Sequence, residues 1–353
     1  MNYIIAGIQQ VGIGVDDLER AWKWYRTHLG FDVRIFEDAS TASLMLPYTG
    51  GEPRDRHAVL AFNLQGGGGF EVWQHKGKTP LFPENIHQLG DTGILVAKIK
   101  SHQIEESYRS LTVANHVEVI GNLEKDPAKR RHFLVKDPWG NLFQIVEQES
   151  FFSTKRPITH GGVAGVMIGV TDVNNSLRLY KEILGYDEVV YDLTGHFLDL
   201  AGIEGAEGRF RRVLLKHSTP RKGAFAPFLG PTEIELIQAL DRDVTHIYKG
   251  RMWGDPGFIH LCFDVAKMDA LRETCENHGF PFTVDSANSF DMGEAAGHFS
   301  YIEDPDGTLI EFVETHKIPI IKKLGWYLNL KKRNPEKPLP AWMIRALKFN
   351  RVK

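Results

Sequence analysis

Four segments of the chain end in an apolar strand with an acid or an amide at one inward position: Glu71 in Phe70–Trp73, Gln144 in Phe143–Val146, Glu235 in Ile234–Ile237 and Glu311 in Ile310–Val313. Four others open a strand that leads toward a helix, and their matching inward slots hold Gln10, Ile94, Gly165 and His260. His, Glu and Gln side chains brought from different strands to one cavity bind a hard or borderline divalent ion and leave positions open for substrate oxygens. Zn, Mn, Co, Ni and Fe(II) all suit such donors. His260 and Glu311 fall in the same unit and serve under any arrangement of the others. A lone inward histidine is more often a hydrogen-bonded core residue than a ligand. Buried glutamates, however, are costly unless paired or coordinated, and several beside one histidine repel each other without a cation.

The elements that must position these groups repeat four times. Unit one reads as a strand over Ile8–Val15, then a helix over Leu18–Leu29 capped by Asp16 or Asp17 and ended by Gly30. Strands then fit Val33–Phe36, Ser43–Leu46, His57–Leu64 and Phe70–Trp73. Unit three repeats the order with a strand over Val166–Val170, a helix over Asn174–Leu184, and strands near Glu188–Tyr191, Phe197–Leu200, Arg211–His217 and Glu233–Gln238. Units two and four end in Asp137–Gly140 and Asp304–Gly307, each an Asp-Pro-x-Gly turn that fixes the register of the strand leaving it. Register matters because a slip of one residue reverses which side chain faces inward. Each unit is βαβββ, and its curved sheet buries its concave face only by pairing with another. The fold class expected is α+β, four such modules forming two clefts. The modules run over about 5–76 and 92–150 within a first half of 1–150, and about 163–240 and 257–316 within a second half of 160–316.

On Tyr301–Glu311 and the His260 strand above all, the chain resembles the vicinal oxygen chelate superfamily of glyoxalases, methylmalonyl-CoA epimerases, bleomycin-resistance proteins and extradiol dioxygenases, over roughly residues 5–316. The resemblance implies paired βαβββ units around a divalent metal with ligands on first and last strands. If units three and four pair, as in the dioxygenases, the set is Glu235, His260 and Glu311, with Gly165 leaving a gap. If units one and four pair, as in fused glyoxalases, it is Gln10, Glu71, His260 and Glu311. The second cleft, with Ile94, Gln144, Gly165 and Glu235, is then dead. The pattern of loss favours this second scheme. The implied activity is metal-dependent proton transfer next to a carbonyl of a small oxygenated substrate, as in isomerases, epimerases and glyoxalase-type lyases, with Glu311 or Glu71 as base. Cyclic sugar-derived ketones are one substrate class. The rivals are an Fe(II) extradiol dioxygenase, to which Tyr301 would contribute, and a non-catalytic binding protein. The dioxygenase reading lacks its first histidine, since Gly165 stands there and His160 lies five residues upstream.

Other groups are weaker candidates. His298 sits beside a Gly-rich loop, 293–297, that is expected to move over the cleft, and it is kept for proton transfer. His57, His196 and His217 read as packing or surface residues. Only one of Arg211 and Arg212 can face inward. Gly66–Gly69 reads as a flexible hairpin loop, since no P-loop Lys-Ser/Thr follows.

A net charge of -3 and 42% apolar residues give no reason to expect nucleic acid as a partner. No run approaches the ~18 apolar residues of a membrane span, and the start does not read as a signal peptide. Cys262 and Cys275 read as reduced core residues, so the expected location is cytoplasmic. From His316 onward eleven Lys and Arg face a single acid, Glu336. This basic, aromatic extension, 317–353, has short amphipathic segments at Ile318–Leu330 and Pro340–Phe349. It is expected to strap onto the acidic body or onto a second copy in a homodimer.

Overall fold

The computed structural model describes residues 2–155, 158–287, 290–291, 296–321 and 326–352. Its strands form two sheets. The first takes its strands from units one and four, in the spatial order Val284–Asp285, Ala296–Glu303, Leu309–Ile321, Gly257–Ala266, Ile4–Gly14, Gly69–His75, Arg54–Phe62, Val33–Ala42. The second takes them from units three and two: Glu188–Gly195, Phe210–Lys216, Glu233–Ala239, His160–Gly169, Gly93–Ser101, Leu142–Glu147, Arg131–Lys136, Glu118–Lys125. In each sheet the two first strands lie antiparallel at the centre, and each last strand runs parallel beside the first strand of its own unit. Four βαβββ modules thus make two curved sheets, an α+β fold.

Each unit's helix presents one apolar face because its apolar residues recur at helical spacing. In Leu18–Leu29 that face is Leu18, Ala21, Trp22, Tyr25 and Leu29. Asp17 caps the helix by accepting from the Arg20 N–H, and Gly30 ends it in the left-handed conformation. These faces share one core with both sheets, which includes Trp24, Phe70 and Phe143 as well as Tyr180, Phe263 and Ile310.

The Asp-Pro-x-Gly turns are held from a distance. Tyr25 in the unit-one helix donates its hydroxyl to Asp137, and Tyr180 in the unit-three helix donates to Asp304, at 2.7 and 2.8 Å. Each aspartate also accepts backbone N–H groups of its own turn. Burial raises both carboxyls to about 6.

Several expectations change at the sheet edges. Ser43–Leu46 is not a strand: Val33–Ala42 is longer than predicted, and a short 3-10 turn with Pro47 follows at Leu46–Tyr48. Phe197–Leu200 likewise becomes a 3-10 turn, Leu198–Leu200. The unit-three helix is a single turn, Val173–Leu177, continued in π geometry over Arg178–Ile183. The glycine loop at Gly66–Gly69 is packed rather than free. A Cβ on Gly66 would meet the Gly161 carbonyl oxygen at 1.9 Å, and Lys100 donates to the Gly66 carbonyl.

The extension continues the first sheet. The strand from Leu309 runs to Ile321 and pairs with Trp326–Asn329; residues 322–325 of the predicted segment Ile318–Leu330 lie outside the described residues. A short helix, Ala341–Ala346, and a 3-10 turn, Leu347–Asn350, follow. No helix among the described residues is long and apolar enough to cross a membrane.

Candidate metal centre

The joint between units one and four brings the ligand-type residues together. His260 stands opposite Gly12 on the antiparallel first strand, and Gln10 stands opposite Cys262. Glu71 lies on the strand beside Gln10, and Glu311 on the strand beside His260. One ligand atom each from Glu71, His260 and Glu311 falls within 4.8 Å of the others. The His260 Nε2 is 3.3 Å from Glu71 Oε2 and 3.2 Å from Glu311 Oε2. The Gln10 amide nitrogen is 3.3 and 3.4 Å from the same two oxygens.

Gly12 makes this possible. A Cβ there would lie 2.4 Å from the His260 Cε1, so only glycine lets the imidazole lie across the neighbouring strand. Sequence reasoning passed over Gly12; a glycine inside an apolar strand was the available sign. Tyr301 stands directly opposite Glu311 in the ladder and meets the His260 ring edge to face, with its hydroxyl 3.5 Å from Nδ1.

The donors fit a divalent cation. His260 is fully buried, so burial alone would push its pKa down, yet Glu311 and Glu71 outweigh that and lift it to about 9. The cluster therefore demands positive charge. The Gln10 Oε1 is buried without a hydrogen-bond partner, and the His260 Nε2 faces the two carboxylates without forming a well-aligned hydrogen bond to either. Such orphaned atoms are costly in a dry interior, and coordination satisfies them. No Lys or Arg among the described residues pairs with Glu71 or Glu311.

The group opens onto a cavity of about 520 Å³ lined by Gln10, Glu71, Tyr301 and Glu311. Trp73 and Trp253 form one wall, meeting each other edge to face at 4.5 Å between centroids. Trp253 comes from the connector between units three and four, outside the repeat, where the ligand pattern gave no reason to look.

The second sheet answers the same problem differently. Glu235, one of the candidate ligands, is not in the metal cluster: it lies in the other sheet, fully buried, paired with Arg212 and with Lys98 at 2.5 Å. Lys98 also meets Glu233 at 2.7 Å, which Arg130 pairs from another side at 2.7 Å. Burial alone would raise Glu233, but Lys98 and Arg130 hold it down at about 2. Arg212 is the inward arginine and also holds Asp199, whereas Arg211 faces out to Asp192. Gln144 is engaged by His132 at 2.9 Å. The unit-two slot is Val96, not Ile94. Val96 pairs with the residue two before Gln144, as His260 pairs with the residue two before Glu311, and an irregularity between Ile94 and Val96 shifts the count.

His298 is also corrected. Gly297, Phe299 and Tyr301 line the cavity, so alternation turns His298 to the opposite face, where it meets Asp285 at 2.6 Å. Residues 293–295 of the adjoining loop lie outside the described residues. His160 is buried against the His28 carbonyl in the second sheet and does not reach the cluster. His57 pairs with Glu37, while His196 and His217 contact backbone carbonyls.

Two family models of the Glyoxalase/Bleomycin resistance protein/Dioxygenase superfamily match residues 7–145 and 166–299. The chain belongs to this superfamily. Among solved structures it is similar to glyoxalase I from Zea mays, with 13% identity, 87% of this chain and 92% of that chain covered, and a TM-score of 0.53. It is also similar to a candidate dioxygenase from Bacillus subtilis, with 15% identity, coverages of 88% and 86%, and a TM-score of 0.54. At such identities the likeness concerns the fold. No curated protein sequence matches the chain.

Proposed function

We propose that the protein is a metal-dependent isomerase, epimerase or glyoxalase-type lyase that moves a proton at the carbon next to a substrate carbonyl. The observation that carries this reading is the cluster of Gln10, Glu71, His260 and Glu311 on one cavity, with two acids and no Lys or Arg partner among the described residues. A divalent ion held there supplies Lewis acidity, stabilising the negative charge that develops on the carbonyl oxygen as the proton leaves.

The chain's own residues divide the work. His260, Gln10, Glu311 and Glu71 would hold the ion, and Tyr301 stands opposite Glu311 with its ring edge to face on the imidazole. Glu71 is the base. Its side chain is slightly more exposed than that of Glu311, 12% against 8%, and its cross-strand neighbour is the apolar Leu60 where that of Glu311 is Tyr301. It is therefore the carboxylate freer to reach a substrate proton. Trp73 and Trp253 keep water from the reacting carbon. One histidine with two carboxylates also departs from the 2-His-1-carboxylate set of Fe(II) oxygenases, which counts against ring cleavage.

Proton NMR in D2O tests the reading. The metal-loaded protein should exchange the α-proton of an α-hydroxy ketone, and Glu71→Gln should slow exchange by about 10²-fold or more. Exchange that is unchanged in Glu71→Gln would remove it from the base role. Oxygen uptake with catechols, without exchange, would transfer the protein to the dioxygenase class.

A further inference from the structure

The cavity beside the metal centre has two ends, and one of them is built by residues outside the fourfold repeat. At one end stand Trp73, Trp253 and Tyr301. At the other, Leu339, Met343, Ile344 and Leu347 of the C-terminal extension line the cavity together with Leu60 and Phe225. Glu71 lies between them, since Leu60 opposite it belongs to the extension's cluster and Trp73 two residues on belongs to the aromatic one.

The wall made by the extension is fastened at both ends. The Leu339 N–H donates to the Ala224 carbonyl at 2.8 Å. Past the wall, Arg351 grips Asp32 with contacts of 2.6 and 2.8 Å, and the Val352 N–H donates to the Asp32 carbonyl at 2.9 Å. Leu339 and Ile344 are almost fully buried. A segment pinned this way is a fixed wall of the site.

We propose that residues 339–350 set the substrate class: an α-hydroxy ketone whose oxygens face the metal ligands and whose remainder is an apolar body of aromatic size. This rests on the function proposed above and narrows it away from polar, sugar-derived ketones. Two arguments support it. The cavity, about 520 Å³, lies within the ~300–1,000 Å³ range that encloses drug-sized ligands, so a three- or four-carbon ketone would leave most of it as water against apolar walls. Among the described residues its lining holds one cation, Arg56, which is already paired with Asp38 at 2.8 Å and is not free for an anionic substrate.

The test compares two α-hydroxy ketones with the same head and different bodies, benzoin and acetoin, by calorimetric titration of the full-length, metal-loaded protein. Benzoin should bind at least tenfold more tightly. Leu347→Glu should collapse that ratio toward one while the bound metal, counted by elemental analysis, stays the same. Met343→Gln keeps side-chain length and serves if the first variant does not fold. Equal affinities in the wild type, or a ratio unchanged in the wall variants, would overturn the proposal. The same titration in His260→Ala separates the two readings. Preference for benzoin that survives there without metal supports the apolar wall, whatever the fate of the metal chemistry.

Discussion

Glu71 and Glu235 occupy equivalent places on last strands in the two sheets, so the same change, Glu→Gln, asks what each acid does. Glu71 has no Lys or Arg partner among the described residues, while Glu235 is fully buried between Lys98 and Arg212. Unfolding 353 residues carries an entropy of about 0.7 kcal/mol/K near the midpoint. A divalent ion at one hundred times its Kd stabilises the folded state by about 2.7 kcal/mol, which is a rise in Tm of about 4 °C. Glu71→Gln removes a charged ligand and should shrink that rise below about 1 °C, with the metal-free Tm little changed. Glu235→Gln should leave the rise intact but lower the metal-free Tm by about 4–7 °C, because breaking a buried ion pair costs roughly 3–5 kcal/mol. Differential scanning calorimetry of the two variants, with chelator and with Mn, Co, Ni or Zn, reads both quantities. The reasoning fails if Glu235→Gln abolishes the metal response or if Glu71→Gln keeps it.

Two further outcomes follow from the same geometry. Gly12→Ala drives a methyl into the His260 ring, 2.4 Å from Cε1, so metal affinity should fall at least tenfold while circular dichroism stays native; undiminished affinity by calorimetry would show that the ring is free to move. Asp264 is buried, with Gln9 donating to it and Glu314 nearby; burial raises its carboxyl to about 8 despite the Gln9 bond. A raised acid holds an extra proton only in the folded state, here between about pH 4 and pH 8, so stability should fall as pH rises through that window. The slope is up to about 1.4 kcal/mol per pH unit, and the total is on the order of 5 kcal/mol. Asp264→Asn should flatten this part of the urea-unfolding profile between pH 5 and 8; parallel profiles for the two proteins would refute the assignment.

The repeat made the module order and the four last-strand acids and amides legible, because period-two alternation and the Asp-Pro-x-Gly turns are local signals. What depends on pairing between distant strands was less so. Ile94 was taken for a slot that Val96 occupies, since the irregularity between them appears only once the strand lies against His160–Gly169. His298 looked available because nothing local shows which face of its strand meets the cavity. Ser43–Leu46 and Phe197–Leu200 carry strand-like residues, yet they sit where the chain leaves the sheet and tighten into turns. The turn motifs were read through Pro and Gly. Their aspartates, bonded to tyrosines more than a hundred residues away, hold them equally.

The difference between the clefts comes down to the source of positive charge. A carboxylate at an inward slot needs a cation wherever it is buried. In the second sheet the chain supplies it: Lys98 lies inward on a first strand, and Arg212 lies inward on the strand next to Glu235, directly opposite Ile237. Both are long enough to reach the acid and too fixed to leave room for an ion. In the first sheet the corresponding first-strand neighbour of His260 is Gly12, which carries no side chain at all. The positive charge there must come from outside or from a proton on His260. Lys98, one of two buried lysines in a mainly apolar strand, is the sequence sign of this division, and it predicts one metal ion per chain rather than two.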